Sequence, residues 1–194
     1  MNIKKTANLL LNFAIKRLAE IFGITIFLAG VILLLALITY SPQDPNFIFP
    51  DNTNIKNLLG FQGSFVSDLF FQSVGLIAYL ISFTLIITGF NIFRTKEFFL
   101  IIENIFFATL YSILGTLFLS YFYSNSFFLY INGNGGFVGN YLNQTFINSV
   151  IEINETIFYF IIIFITLSLF LISTNFNPKK FYIFLIKFLN LFFK

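Results

Sequence analysis

Acid–base or metal chemistry in this chain would have to rest on eight carboxylates, because the sequence contains no His and no Cys. That removes thiol nucleophiles, disulfides, Cys/His metal centres and the imidazole that most proton-transfer sites use. Asp44, Asp51 and Asp68 are scattered through a connecting stretch and define no paired site for a general acid and a general base. The phosphate-loop pattern G-x-x-x-x-G-K-[ST] is absent. Gly133-Asn134-Gly135-Gly136 is glycine-rich but carries no Lys and follows no strand-like run. It reads as backbone free to take positive φ or to approach another surface closely, not as a nucleotide cradle. The expectation is a non-enzymatic chain without cofactor or metal.

The elements that must position these residues are apolar. Of 194 residues, 58% are hydrophobic and 10% charged, against roughly 25% charged in an average soluble domain. Phe is abundant, Trp absent and Arg confined to Arg17 and Arg94. Codon usage in an AT-rich genome accounts for that skew, so the Phe excess is not read as an aromatic cage. Four runs lack acidic and basic side chains: Ile21–Tyr40, Leu69–Phe93, Asn104–Tyr123 and Thr156–Ser173. Each approaches or reaches the ~20 residues that cross ~30 Å of hydrocarbon. The fold class expected is therefore an all-α membrane protein, with four transmembrane helices, two outer loops and flanking interfacial helices.

Residues 1–20 form an amphipathic segment, with Asn8, Asn12, Lys16 and Glu20 on one side; 21–173 is the four-span domain. Residues 174–194 form a basic amphipathic tail marked by Lys180, Lys187 and Lys194. The first run is too long for a signal-peptide core and lacks a small-residue cleavage site, so it is read as retained. Every Lys and Arg except Lys56 lies in the N-terminal segment, the Arg94–Glu97 connection or the tail. The positive-inside rule then places both termini in the cytoplasm.

Small residues mark where helices can approach. Gly75, Ala78, Ser82 and Gly89 form a stripe on the second span, and Ala108, Ser112, Thr116 and Ser120 one on the third. These two faces are expected to pack on each other or on another subunit, with Leu117 as a contrasting apolar neighbour. Glu103 sits near the cytoplasmic end, where it can snorkel or pair with Arg94 or Lys96. No span carries a central charge, which argues against a coupled transporter.

Three loop motifs carry a resemblance. Tyr40-Ser41-Pro42-Gln43-Asp44-Pro45 follows span one, and Gly60-Phe61-Gln62-Gly63-Ser64-Phe65-Val66-Ser67-Asp68-Leu69-Phe70 leads into span two. Gly135-Gly136-Phe137-Val138-Gly139 lies between spans three and four. In this order and topology the chain resembles the N-terminal four-helix membrane domain of the FtsK/SpoIIIE DNA translocases, over roughly Ile21 to Ser173. Ser64 and Ser67 stand where that family commonly has Ala.

The resemblance implies an anchor in the bacterial inner membrane, acting in cell division and chromosome segregation and placed at the division septum. Its implied partners are membrane lipids, division proteins and further copies of itself, a hexamer by family analogy. DNA and ATP would be handled only by a motor separate from these residues, and ATPase activity does not carry over onto them. Whether the chain is complete, a split gene product or part of a longer one stays open. The alternative is a small accessory subunit of a transporter or envelope complex.

Pro42, Asp44, Pro45, Gly60, Gly63, Asp68, Gly135, Gly136 and Gly139 are the candidate interaction or loop-shaping residues. Pro42 and Pro45 make an abrupt helix exit, and Asp44 is expected to bond its own turn. Asp68 is expected to cap span two. A side chain at Gly136 is expected to cost of order 1 kcal/mol, leaving abundance intact while weakening partner binding.

Overall fold

The computed structural model describes residues 3–45, 54–125, 129, 131–179 and 186. Asp51 and the tail stripe of Lys180, Lys187 and Lys194 lie outside the described residues. The elements are α1 (Ile3–Ile38), α2 (Gly60–Val74), a 3-10 turn (Gly75–Ile77), α3 (Ala78–Thr95), α4 (Leu100–Phe122), α5 (Gly136–Asn143), α6 (Phe146–Glu152) and α7 (Glu155–Ser173). No strand occurs among the described residues. Four helical runs are long and apolar enough to cross a membrane: Asn8–Ile38, Gly60–Thr95, Leu100–Phe122 and Glu155–Ser173. The chain is an all-α, multi-pass membrane protein.

α1 joins the amphipathic segment and the first span in one uninterrupted helix. No Pro stands between Ile3 and Thr39, and the turn chemistry begins only at Pro42. The second run starts at Gly60, ahead of Leu69, because Asp68 does not end the helix. It lies inside α2, 5% exposed, with partners of its own. The cap position is Leu59, and no side chain caps the helix there. The expected capping role of Asp68 is therefore overturned.

The helices associate as two antiparallel pairs. In the first, α1 and α3 meet along glycines: a Cβ on Gly23 would lie 2.6 Å from the Phe93 nitrogen, and one on Gly30 2.7 Å from the Ile86 nitrogen. Gly89 fits against the α1 backbone at Gly23 and Phe27. Ala78 packs with Leu33 and Leu37 of α1. Ala78 and Gly89 of the small stripe thus face the first span, not the third, and this corrects the expected pairing. Gly23 and Gly30, seven residues apart, are the complementary half of the seam. A glycine seam lets backbones approach where side chains would hold them apart, the usual device when lipid supplies no hydrophobic drive.

In the second pair, α4 and α7 close around Leu117, Ile151 and Ile162. Leu117 is 4% exposed, so it is core and does not serve as the more tolerant contrast to the small stripe. The expectation failed because α4 is covered on several sides by different elements. At the basic end, Glu20 pairs with both Arg17 and Lys96. Lys96 therefore reaches across to α1 and not to Glu103, which is exposed.

A candidate interaction site at the loop end of the bundle

At the end opposite the Arg17–Glu20–Lys96 cluster, three pieces of irregular backbone lock together. The first is the exit from α1. Asp44 is 3% exposed, and its carboxylate accepts the backbone N–H groups of Lys56 and Asn57 at 2.9 and 2.8 Å. The expectation of a bond within its own turn is corrected: one carboxylate instead closes a loop across twelve residues of sequence. A charged acceptor with two N–H partners is a strong clasp, roughly twice as strong per bond as a neutral one. Asn57 continues the clasp by donating to the Ala36 carbonyl at 2.9 Å, and the Ser64 hydroxyl donates to the Pro45 carbonyl at 2.8 Å. Pro42 and Pro45 bracket this turn. A Cβ on Gly63 would collide with the Asn57 side chain, which is why the position before Ser64 carries none.

The second piece is the break in the second span. Gly75 has φ 59° and ψ −143°, a combination closed to other residues. This is where α2 ends and the 3-10 turn begins. A Cβ there would overlap the Asn134 carbonyl, which instead accepts the N–H of Leu76 at 3.0 Å. The third piece is the glycine element itself. Gly136 has φ 64°, and a Cβ on it would sit 2.5 Å from the Gly75 nitrogen and 2.7 Å from the Ser73 carbonyl oxygen. On the other side, a Cβ on Gly135 would lie 2.6 Å from the Thr116 carbonyl oxygen, and Gly139 abuts the same group. The loop glycines and the candidate packing residues Gly75, Thr116 and Ser120 therefore belong to one site. The earlier expectation that a Gly136 side chain costs only about 1 kcal/mol is overturned, since steric collision with α2 backbone adds to the φ strain.

Polar side chains thread the three pieces. The Tyr40 hydroxyl donates to Asp68 at 3.1 Å, and the Gln72 amide donates to the same oxygen at 3.3 Å. Asn132 donates to the Gln72 side chain at 3.0 Å, Asn140 to the Asn132 carbonyl at 2.9 Å, and Ser120 to Asn140 at 2.7 Å. The chain of bonds runs from the end of α1 through α2 and α5 to α4. Its amides escaped sequence reasoning, because Asn is common throughout a compositionally skewed chain and no spacing singles out Asn57, Asn132 or Asn140.

Between the two helix pairs, Thr84 bonds Tyr111 at 2.9 Å and Ser173 at 3.3 Å. Asn104 donates to Thr88 at 2.8 Å and accepts from Asn175 at 2.9 Å. This buried polar seam was also not foreseen. Ser82 points its hydroxyl at the Tyr79 carbonyl. Ala108 and Ser112 border a cleft of about 350 Å³ between α3 and α4, otherwise lined mainly by apolar side chains. Gly60 (φ 66°) stands apart, with open space beside it. Among the described residues no His, Cys, Asp or Glu cluster could hold a metal ion. What the site can do is hold loops in one shape and present a surface.

Residues 15–177 match the family described as the 4TM region of DNA translocase FtsK/SpoIIIE. The chain belongs to that family. A DNA translocase FtsK from Azospirillum brasilense is 30% identical over 87 residues, 44% of this chain and 14% of that protein. One from Vibrio vulnificus is 36% identical over 83 residues, 42% of this chain and 8% of that protein. A third, from Caulobacter vibrioides, is 35% identical over 71 residues, 37% of this chain and 9% of that protein. The matched stretches thus span a small fraction of these relatives' length. No solved structure matches. Within the family's four-helix region, the three motifs of this chain are the pieces that meet at the loop end.

Proposed function

We propose that this four-helix region is the membrane anchor and interaction module of an FtsK-like DNA translocase, acting in cell division and chromosome segregation. The observation that carries the reading is the family match over residues 15–177, on a chain with four helical runs suited to crossing a membrane. ATP and DNA belong to a motor outside these residues. The anchor's own work is to hold that motor at the membrane and to bring division proteins, and further copies of itself, into contact with it.

The orientation proposed has both termini and the Arg94–Glu97 connection in the cytoplasm and the clasped loops on the far side. Every basic residue but Lys56 supports it. Location at the septum is tested by a fluorescent fusion in dividing cells. Enrichment at midcell is the expected result. Uniform labelling of the envelope would sink the division role and favour an accessory subunit of another envelope complex.

A further inference from the structure

The glycine element lies deeper than a loop connecting two spans would. Tyrosines mark the level of the membrane interface at this end: Tyr121 donates to Glu155 at 3.0 Å, and Tyr123 and Tyr159 share a bond at 2.9 Å. Gly135 and Gly139 rest against α4 between the Thr116 carbonyl and Ser120, one to five residues below Tyr121, a drop of about 2–8 Å at 1.5 Å per residue. Val138 of α5 borders the cleft that Ser112 and Ile113 line further down α4. Non-helical backbone is tolerated at such depth only where protein satisfies its polar groups. That condition holds at Asn132, Asn134 and Asn140. Asn134 has its carbonyl taken by Leu76 and its side chain donating to the carbonyls of Tyr123 and Asn125 at 2.8 and 2.7 Å. Asn132 and Asn140 are tied to Gln72 and Ser120.

The opposite face of α5 presents two uncovered aromatic rings. Phe137 and Tyr141 are 60% and 62% exposed, and their rings stack with centroids 6.3 Å apart. We propose that α5 is a re-entrant helix whose Phe137–Tyr141 face is covered by lipid acyl chains of the leaflet at the loop end. Depth argues against water as the neighbour of this face. Side-chain type argues against a second copy. Close helix association in a bilayer uses small residues, and the small residues of α5, Gly136 and Gly139, are already spent on Ser73 and Gly75 and on α4. Two bulky rings facing outward suit fluid chains.

The absence of Trp from the sequence makes the test direct. Phe137→Trp places a single fluorophore on this face. Phe164→Trp, at a site 72% exposed on α7, reports the lipid phase, and Ser124→Trp reports the loop. The full chain is reconstituted in phosphatidylcholine–phosphatidylglycerol vesicles, with acyl-brominated lipid or aqueous iodide as quencher. The expected result is strong quenching of Phe137→Trp by brominated lipid, at least half that of Phe164→Trp, and weak quenching by iodide. Iodide quenching near that of Ser124→Trp would overturn the proposal in favour of water. Protection from both quenchers would overturn it in favour of a protein partner. Tyr141→Trp, read the same way, guards against a local effect of the first substitution.

Discussion

At the scale of single residues, two glycines with the same backbone angle separate strain from collision. Gly60 and Gly136 have φ 66° and 64°, but the first faces open space and the second faces the Gly75 nitrogen at 2.5 Å. Gly60→Ala should therefore cost only the left-handed penalty, about 1–2 kcal/mol. Gly136→Ala should cost clearly more, and thermal unfolding of the detergent-solubilised protein should rank them so. Equal melting shifts would mean that the clamp has room to relax. Asp44 offers a second comparison. Both of its oxygens accept N–H groups, so Asp44→Asn turns an amide N–H₂ toward a donor and should be no better than Asp44→Ala. Each should lose about 1–3 kcal/mol, and near-wild-type stability of the Asn variant would show that one acceptor suffices. Of these features the sequence displayed the residue types but not the partners. Asp44 and Asp68 were visible as turn and cap residues because those roles are local, whereas their actual bonds run to Lys56, Asn57 and Tyr40, which no spacing rule connects.

At the scale of elements, the helices were legible from charge-free runs, while their pairings were not. A stripe of small residues says that a helix can be approached, not by which neighbour. Gly23 and Gly30 were hidden inside an otherwise leucine- and isoleucine-rich run, and they determine that α3 packs on α1. Gly89→Leu should therefore separate the α1–α3 pair and reduce the yield of folded protein. Phe90→Leu, at a site 54% exposed, should leave it unchanged. The stripe on α4 also divides. Thr116 is fully buried beneath Gly135 and Gly139, whereas Ser112 borders the α3–α4 cleft of about 350 Å³. Thr116→Leu should displace α5 and destabilise the protein, and Ser112→Leu should be accommodated by the cleft. Monodispersity on size exclusion after heating reads both; equal damage at the two positions would deny the cleft its spare volume.

At the scale of the whole molecule, the fold is two helix pairs joined at one end by hydrogen-bonded loops and between them by a buried polar seam. Fold class and span number followed from composition, because an apolar chain must cross a bilayer with its backbone bonds satisfied inside helices. The loop end was foreseen only as motifs, since its assembly depends on long-range meetings of Gly75, Asn134 and Thr116. Knowing those meetings changes how orientation is best measured. A reporter inserted within 132–140 would break the clamp it is meant to locate. Gln144 is exposed between α5 and α6 and offers a site outside the glycine contacts. Distribution of the basic residues leads to the expectation that a phosphatase reporter at Gln144 is active beyond the membrane, while one fused after Lys194 is silent. A fluorescent protein that folds only in the cytoplasm should give the opposite pattern at the two sites. Four crossings require the sites to lie on opposite faces, so activity of the same reporter at both would overturn the span count. Exchange of the two signals would keep the four spans and reverse the orientation.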